Sequence, residues 1–227
     1  MTSGTFSGLA LRGIGPALMS GRISDVKIDP VQPNTWYVAA GSGNVWKTTN
    51  AGTTWKPIFD HYGSYSIGCI AIDPRRHLTI WIGTGEDVSG RHVGYGDGVY
   101  RSLDGGKSFR NMGLKKTEHI AKILVHPSNS NIVYVAAEGP LWSPGGERGV
   151  FRSTDGGKTW QCVLSKGPYT GATDIVIDPR DPSVLFASLH QRHRTVAALV
   201  DGGPESGIYK STDGGSTWRE LRSGLPS

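Results

Sequence analysis

The chain has 227 residues, 33 of them glycine and 13 proline, and its 37% apolar content can fill a core but falls in runs too short for long helices. Its formal charge of +5 is spread along the sequence with no lysine or arginine block, which excludes a nucleic-acid-binding patch. No segment is apolar for long enough to cross a bilayer, and residues 1–16 lack the basic start and apolar run of a signal peptide. The compartment stays open between the cytoplasm and, for a chain whose signal has been removed, the periplasm or exterior.

Residues 1–22 form an amino-terminal segment, in which 5–12 is a candidate strand for completing a final blade. Beyond it one pattern occurs four times. A short β-run ends in a proline turn at Val26-Lys27-Ile28-Asp29-Pro30, Ile70-Ala71-Ile72-Asp73-Pro74, Ile123-Leu124-Val125-His126-Pro127 and Ile175-Val176-Ile177-Asp178-Pro179. Seven residues after each proline stands Tyr37, Trp81, Tyr134 or Phe186, in a second run. A third run carries Trp46, Tyr100, Phe151 or Tyr209 and leads into an octet, whose fullest form is Ser153-Thr154-Asp155-Gly156-Gly157-Lys158-Thr159-Trp160. The octets begin at Thr48, Ser102, Ser153 and Ser211, which lie 54, 51 and 58 residues apart, the length of one four-stranded antiparallel unit. The closing Trp or Phe opens the fourth run. This predicts an all-β fold of four propeller blades, with strands A to D in each, over residues 23–60, 66–111, 119–165 and 172–222. Cys69 and Cys162 then fall on different strands of different blades, one inner and one outer, and are expected as free thiols.

The octet reads as the hairpin between strands C and D. Its Asp accepts hydrogen bonds from turn N–H groups, its fifth-position Gly supplies a positive φ, and its closing aromatic packs over the turn. Asn50 replaces Asp in the first copy, which keeps the acceptor and loses the charge. That argues against metal ligation or acid–base work by the octets.

These octets at blade spacing resemble the Asp-box, or BNR-repeat, β-propellers over nearly the whole chain. Among these the sequence is similar to the sortilin-like amino-terminal region of large bacterial BNR-repeat proteins often labelled glycosyl hydrolases. Leu11-Arg12-Gly13-Ile14-Gly15-Pro16 and Gly21-Arg22-Ile23-Ser24 look like their opening. The resemblance implies rings of more than four blades, so four are expected to form an incomplete arc, part of a longer polypeptide or completed by a second copy; a compact four-bladed ring is the third option. Open flanks on the first and fourth blades favour self-association. In xyloglucan-cleaving relatives a catalytic Asp follows the strand-B aromatic of the first blade, where this chain has Gly41, and one arginine at Arg12 is not a sialidase triad. No catalytic residue carries over.

Antiparallel meanders place the A–B turns and the octets at one end and the B–C and D–A connections at the other. The B–C connections vary in length: 41–44 in blade 1 against 84–98, 137–149 and 189–207 in the others. Long loops on a rigid scaffold are where binding sits. Removing the repeated positions leaves aromatic and charged residues there as candidate ligand contacts: Arg22, His61, Tyr62, Glu86, Asp87, Arg91, His92, Tyr95, His119, Glu138, Trp142, Arg148, His190, Arg192 and Arg194. The expected function is a binding module for a carbohydrate or an extended peptide, with glycoside hydrolysis or a ligand-free structural role as alternatives. No cofactor, nucleic acid or membrane partner is expected. The histidines of His190-Gln191-Arg192-His193 lack a matching ligand set, so no metal is expected either.

Overall fold

The computed structural model describes residues 22–223, and among them there is no helix. The candidate strand at 5–12 lies outside the described residues. Blade 1 is built from β1 (Ile23–Ile28), β2 (Trp36–Ala40), β3 (Val45–Thr48) and β4 (Lys56–Pro57), and blade 2 from β5 (Ile67–Asp73), β6 (Arg76–Thr84), β7 (Val99–Ser102) and β8 (Arg110–Asn111). Blade 3 contains β9 (Ile120–Val125), β10 (Val133–Ala137), β11 (Gly149–Ser153) and β12 (Gln161–Leu164). Blade 4 contains β13 (Thr170–Ile177), β14 (Leu185–Arg194), β15 (Leu199–Asp201), β16 (Gly207–Ser211) and β17 (Arg219–Leu221). Apart from β15, each sheet is an antiparallel meander in chain order.

The first strands β1, β5, β9 and β13 neighbour one another in series, which sets the blades side by side around a common axis. Glycine permits this approach. A Cβ at Gly171 on β13 would overlap the backbone of Glu138 in blade 3, and one at Gly68 on β5 would overlap the Ile120 carbonyl. Cys69 is buried on β5 and Cys162 exposed on β12, both as free thiols.

The core lies between blades. Tyr37, Ala39 and Val45 of blade 1 meet Ile70, Ile80, Ile82 and Tyr100 of blade 2. Ala71, Trp81 and Val99 of blade 2 meet Ile123, Val133, Val135 and Phe151 of blade 3. Tyr134, Ala136 and Val150 of blade 3 meet Ile175, Leu185, Ala187 and Tyr209 of blade 4. Alternation along each strand thus feeds one face to the preceding blade and the other to the following one.

Each octet fixes its own turn. Asp155 accepts from Thr159 Oγ1 at 2.6 Å, from the Lys158 and Thr159 N–H groups at 2.9 and 3.0 Å, and from Ser153 Oγ at 2.8 Å. Those bonds, the Thr159 hydroxyl foremost, hold the carboxyl below its ordinary range. Both central residues have positive φ, including Ala51 at 53° in the first copy, where the sequence pattern called only for a fifth-position glycine. The octet also locks onto the preceding blade. Gly106 sits against Tyr37, Gly157 against Trp81 and Gly215 against Tyr134. The carbonyl of the preceding glycine accepts from that blade: Gly105 O from Lys47 Nζ at 2.7 Å, Gly156 O from Arg101 Nη1 at 2.5 Å, and Gly214 O from the Tyr134 hydroxyl at 2.8 Å.

Blade 4 departs from the four-strand expectation. β13 begins early, at Thr170, so Thr170 and Gly171 hold Gln191 and His190 in the ladder, and β14 runs on to pair with β15. Part of the stretch expected as a loop is therefore a projecting hairpin, its tip closed by Thr195 and Ala198.

Candidate functional site

The B–C and D–A connections meet at one end of the blades. Asn44 N–H donates to Tyr65 O at 3.0 Å, Gly96 N–H to Glu118 O at 2.7 Å and Gly145 N–H to Pro168 O at 2.8 Å. On this end the β14–β15 hairpin passes over blade 3, where Arg194 N–H donates to Leu141 O at 3.0 Å, and reaches the long loop of blade 2. There Arg194 Nε donates to Ser89 O at 2.9 Å, Arg91 Nη2 to Val196 O at 3.0 Å, and Ser89 Oγ to Asp201 Oδ1 at 3.4 Å. His190 Nε2 lies 3.4 Å from Asp201 Oδ1 on the same hairpin.

Beneath this strap lie two carboxyl–guanidinium pairs. Glu86, at the start of the blade 2 loop, is buried and receives Arg22 Nε at 2.8 Å, while Arg22 Nη1 is 3.1 Å from His92 Nε2. A Cβ at Gly41 would overlap Glu86 Oε1. The space beside Gly41 in blade 1 is thus filled by a carboxylate reaching across from blade 2. Glu138 and Arg192, each 2% exposed, form the second pair in direct contact. Burial, reinforced by a hydrogen bond with the Asp87 carboxyl and opposed by Arg192, pushes Glu138 well above the usual carboxylate range. Asp87 itself is exposed.

His119 lies between the pairs. It is fully buried, its Nδ1–H donates to Glu86 O at 2.9 Å, and burial together with Arg192 lowers it to about 3, so it is neutral. Glu86 Oε2 and His119 Nε2 are buried with no hydrogen-bonding partner. Arg148 is buried and donates to four carbonyls, those of Glu138, Pro140, Ser143 and Gly145, which makes it the frame of the blade 3 loop.

The remaining candidates separate. Tyr62 stacks on Phe59 at 4.7 Å and its hydroxyl accepts from Phe109 N–H, inside the blade 1–blade 2 packing. Tyr95 is exposed, 5.9 Å from the His119 ring; Trp142 is half-buried and His61 exposed. Lys47, Arg101, Arg152 and Lys210 went unremarked in the sequence, although each directly precedes an octet. Each lies over the strand-B aromatic of its own blade, at 5.2, 5.4, 6.0 and 5.3 Å respectively. Among the described residues, no group of three or more His, Cys, Asp or Glu could hold a metal ion.

Comparison with known proteins agrees with this architecture. A xyloglucanase of Acetivibrio thermocellus is 24% identical over 285 residues, covering 88% of this chain and 32% of its own length. A xyloglucanase of Hypocrea jecorina is 24% identical over 227 residues, covering 87% and 26%. The chain thus spans a third or less of these curated relatives. Among solved structures, an ancestral GH74 enzyme matches with a TM-score of 0.69 at 20% identity, over 90% of this chain and 26% of that one. The GH74 enzyme of Niastella koreensis matches with a TM-score of 0.64 at 22% identity, over 86% and 28%. At this identity the structural likeness establishes the propeller fold. The family model described as "Sortilin, neurotensin receptor 3" matches residues 97–226, more than half of the chain, and the protein belongs to this Sortilin-Vps10 family.

Proposed function

We propose that the long-loop end binds a carbohydrate, with Trp142, Tyr95 and Asp87 facing the ligand. The observation that carries this reading is what the arginines do. Arg91, Arg148 and Arg194 donate to backbone carbonyls, and Arg22 and Arg192 are matched to Glu86 and Glu138. Aromatic faces and the exposed Asp87 carboxyl remain, which suit a neutral, hydroxyl-rich ligand better than an anionic one. The curated relatives named xyloglucanases support the same class. Isothermal titration of the chain with xyloglucan oligosaccharides and with extended peptides tests the proposal. Saturable glycan binding that weakens in Trp142→Ala is expected; binding of peptides alone would overturn it.

The curated relatives named xyloglucanases favour a second reading, in which this end forms one wall of a glycoside-cleaving cleft. Exposed Asp87 would be one carboxyl of a flanking pair, and the opposing carboxylate would come from another wall. Release of reducing ends from xyloglucan, abolished in Asp87→Asn, is the result this reading requires.

A further inference from the structure

The A–B turns and the octets make the end of the blades opposite the long loops, and consecutive blades meet there through matched positions. Asp29 follows β1 and is 1% exposed; its Oδ1 caps the turn by accepting from the Val31 and Gln32 N–H groups at 2.8 and 3.1 Å. Its Oδ2 meets His77 Nδ1 of blade 2 at 2.9 Å. His77 stands four residues before the strand-B aromatic Trp81, so a ring from blade 2 occupies this junction.

The next junction has the same cap without the ring. Asp73, also 1% exposed, accepts from the Arg75 and Arg76 N–H groups through Oδ1 at 2.9 and 3.3 Å, but its Oδ2 is buried with no hydrogen-bonding partner. The residue four before Tyr134, in the place of His77, is Ser130. A hollow of about 210 Å³ remains between blades 2 and 3, lined by Arg75, Arg76, Ser128, Asn129, Ser130 and Asn131. Asp73 itself does not line it.

The hollow is basic and lacks a counter-charge. Arg180, one residue after the proline of blade 4, is paired with Asp178 through Nη2 at 3.0 Å. Arg75 holds the same place in blade 2, yet it crosses to blade 3, where Nη1 donates to Ser128 O at 2.7 Å. Among the described residues no carboxylate pairs with the side chain of Arg75 or Arg76. Arg76 also belongs to a wider field: burial first, then the charges of Arg110 and Arg76, lower Arg101 from its ordinary range. Guanidinium groups bind oxyanions through paired, charge-assisted N–H bonds. Polar side chains stand on both walls, which suits a tetrahedral oxyanion better than a planar carboxylate, and the net charge of +5 favours its approach. We propose that this hollow binds a tetrahedral oxyanion, phosphate or sulfate, between Arg75 and Arg76 of blade 2 and Ser130 and Asn131 of blade 3. The proposal does not depend on the carbohydrate reading, since the hollow lies at the other end of the blades.

Isothermal titration of the 227-residue chain with inorganic phosphate and with sulfate, against chloride at matched ionic strength, is the test. Saturable binding of one oxyanion per chain is expected, with chloride giving only heat of dilution. Arg75→Gln combined with Arg76→Gln should weaken binding roughly tenfold or more and leave the circular dichroism spectrum unchanged, because both side chains are exposed. Ser130→His, which restores the ring of the preceding junction, should abolish binding without lowering Tm, since the imidazole gives Asp73 Oδ2 a donor. Glucose 6-phosphate separates two sources of the group: tighter binding than phosphate assigns the site to an ester on a larger ligand, and weaker binding assigns it to the free ion. Titrations indistinguishable from chloride, or binding unmoved by both the arginine variant and Ser130→His, overturn the proposal. Loss of oxyanion binding in Trp142→Ala would place the anion at the loop end and overturn it equally.

Discussion

Replacing Gly157 with alanine tests whether an octet binds the neighbouring blade or merely closes its own hairpin. Gly157 has φ of 85°, and a Cβ there would lie 2.7 Å from Trp81 Cη2 and 3.0 Å from Cζ3. Trp81 cannot yield, because it is 1% exposed and packed edge-on against Trp160 at 6.5 Å. The left-handed backbone costs about 1–2 kcal/mol and the overlap roughly another 1–3. At ~2–4 °C per kcal/mol for a chain of this size, Gly157→Ala should lower Tm by about 4–20 °C. Gly145→Ala is the matched control: φ is 77°, but nothing lies within 4 Å of the added methyl. It carries the backbone cost alone, a fall of about 2–8 °C. The difference between the two in thermal melts followed by near-ultraviolet circular dichroism reports the blade contact. Equal losses would refute inter-blade locking and return the octet to a local turn.

Three further outcomes follow from the charges and the loops. Asp213 is held at about 2 by the Thr217 hydroxyl and N–H and by Ser211, and Asp178 at about 2 by Arg180, against an ordinary 3.8. Folded values below unfolded ones mean stability that is present above pH ~4 and lost as pH falls towards ~2. Urea midpoints against pH should show this slope, and Asp213→Asn should reduce it. Glu138→Gln removes the partner of buried Arg192 and should cost about 3–5 kcal/mol; an unchanged Tm at pH 7 would show that the pair contributes nothing to stability. Trp142→Ala should weaken glycan binding roughly tenfold with little change in Tm, because the ring is only half-buried; a large Tm loss with unchanged titration would remove Trp142 from the site.

The sheets were legible because the same phrase is written four times, and any one copy, such as Val26 to Pro30, would have been an ambiguous apolar run. Fixed phase also carried information that charge patterning concealed. Lys47, Arg101, Arg152 and Lys210 read as solvated cations one at a time, whereas at constant spacing before the octet they are a structural element lying over the strand-B ring. The loop end was legible only as a list of unrepeated residues. Glu138 and Arg192 stand 54 positions apart, and their contact depends on β14 running past its expected end. That extension is invisible in Leu189-His190-Gln191-Arg192, a polar stretch whose strand character comes from β13 beginning early at Thr170. Tyr62 shows the converse: lack of repetition marked it for a ligand, while its ring stacks on Phe59.

Because each blade touches mainly its neighbours, the cost of damaging an octet should depend on what lies in front of it. Gly157 meets rigid Trp81 at 2.7 Å, Gly215 meets Tyr134 at 3.1 Å, and Gly106 meets Ile58 Cδ1, a flexible side-chain end, at 2.8 Å. Gly52 in blade 1 has no preceding blade among the described residues. Its nearest neighbours are Trp36 and Trp55 of its own blade at 3.5 and 3.6 Å, which is ordinary contact. Alanine at Gly52 should therefore cost no more than at Gly145 in an isolated chain, while Gly157→Ala costs the most. A Gly52→Ala loss as large as that of Gly157→Ala would contradict the nearest-neighbour account, because nothing among the described residues stands against Gly52 as Trp81 stands against Gly157.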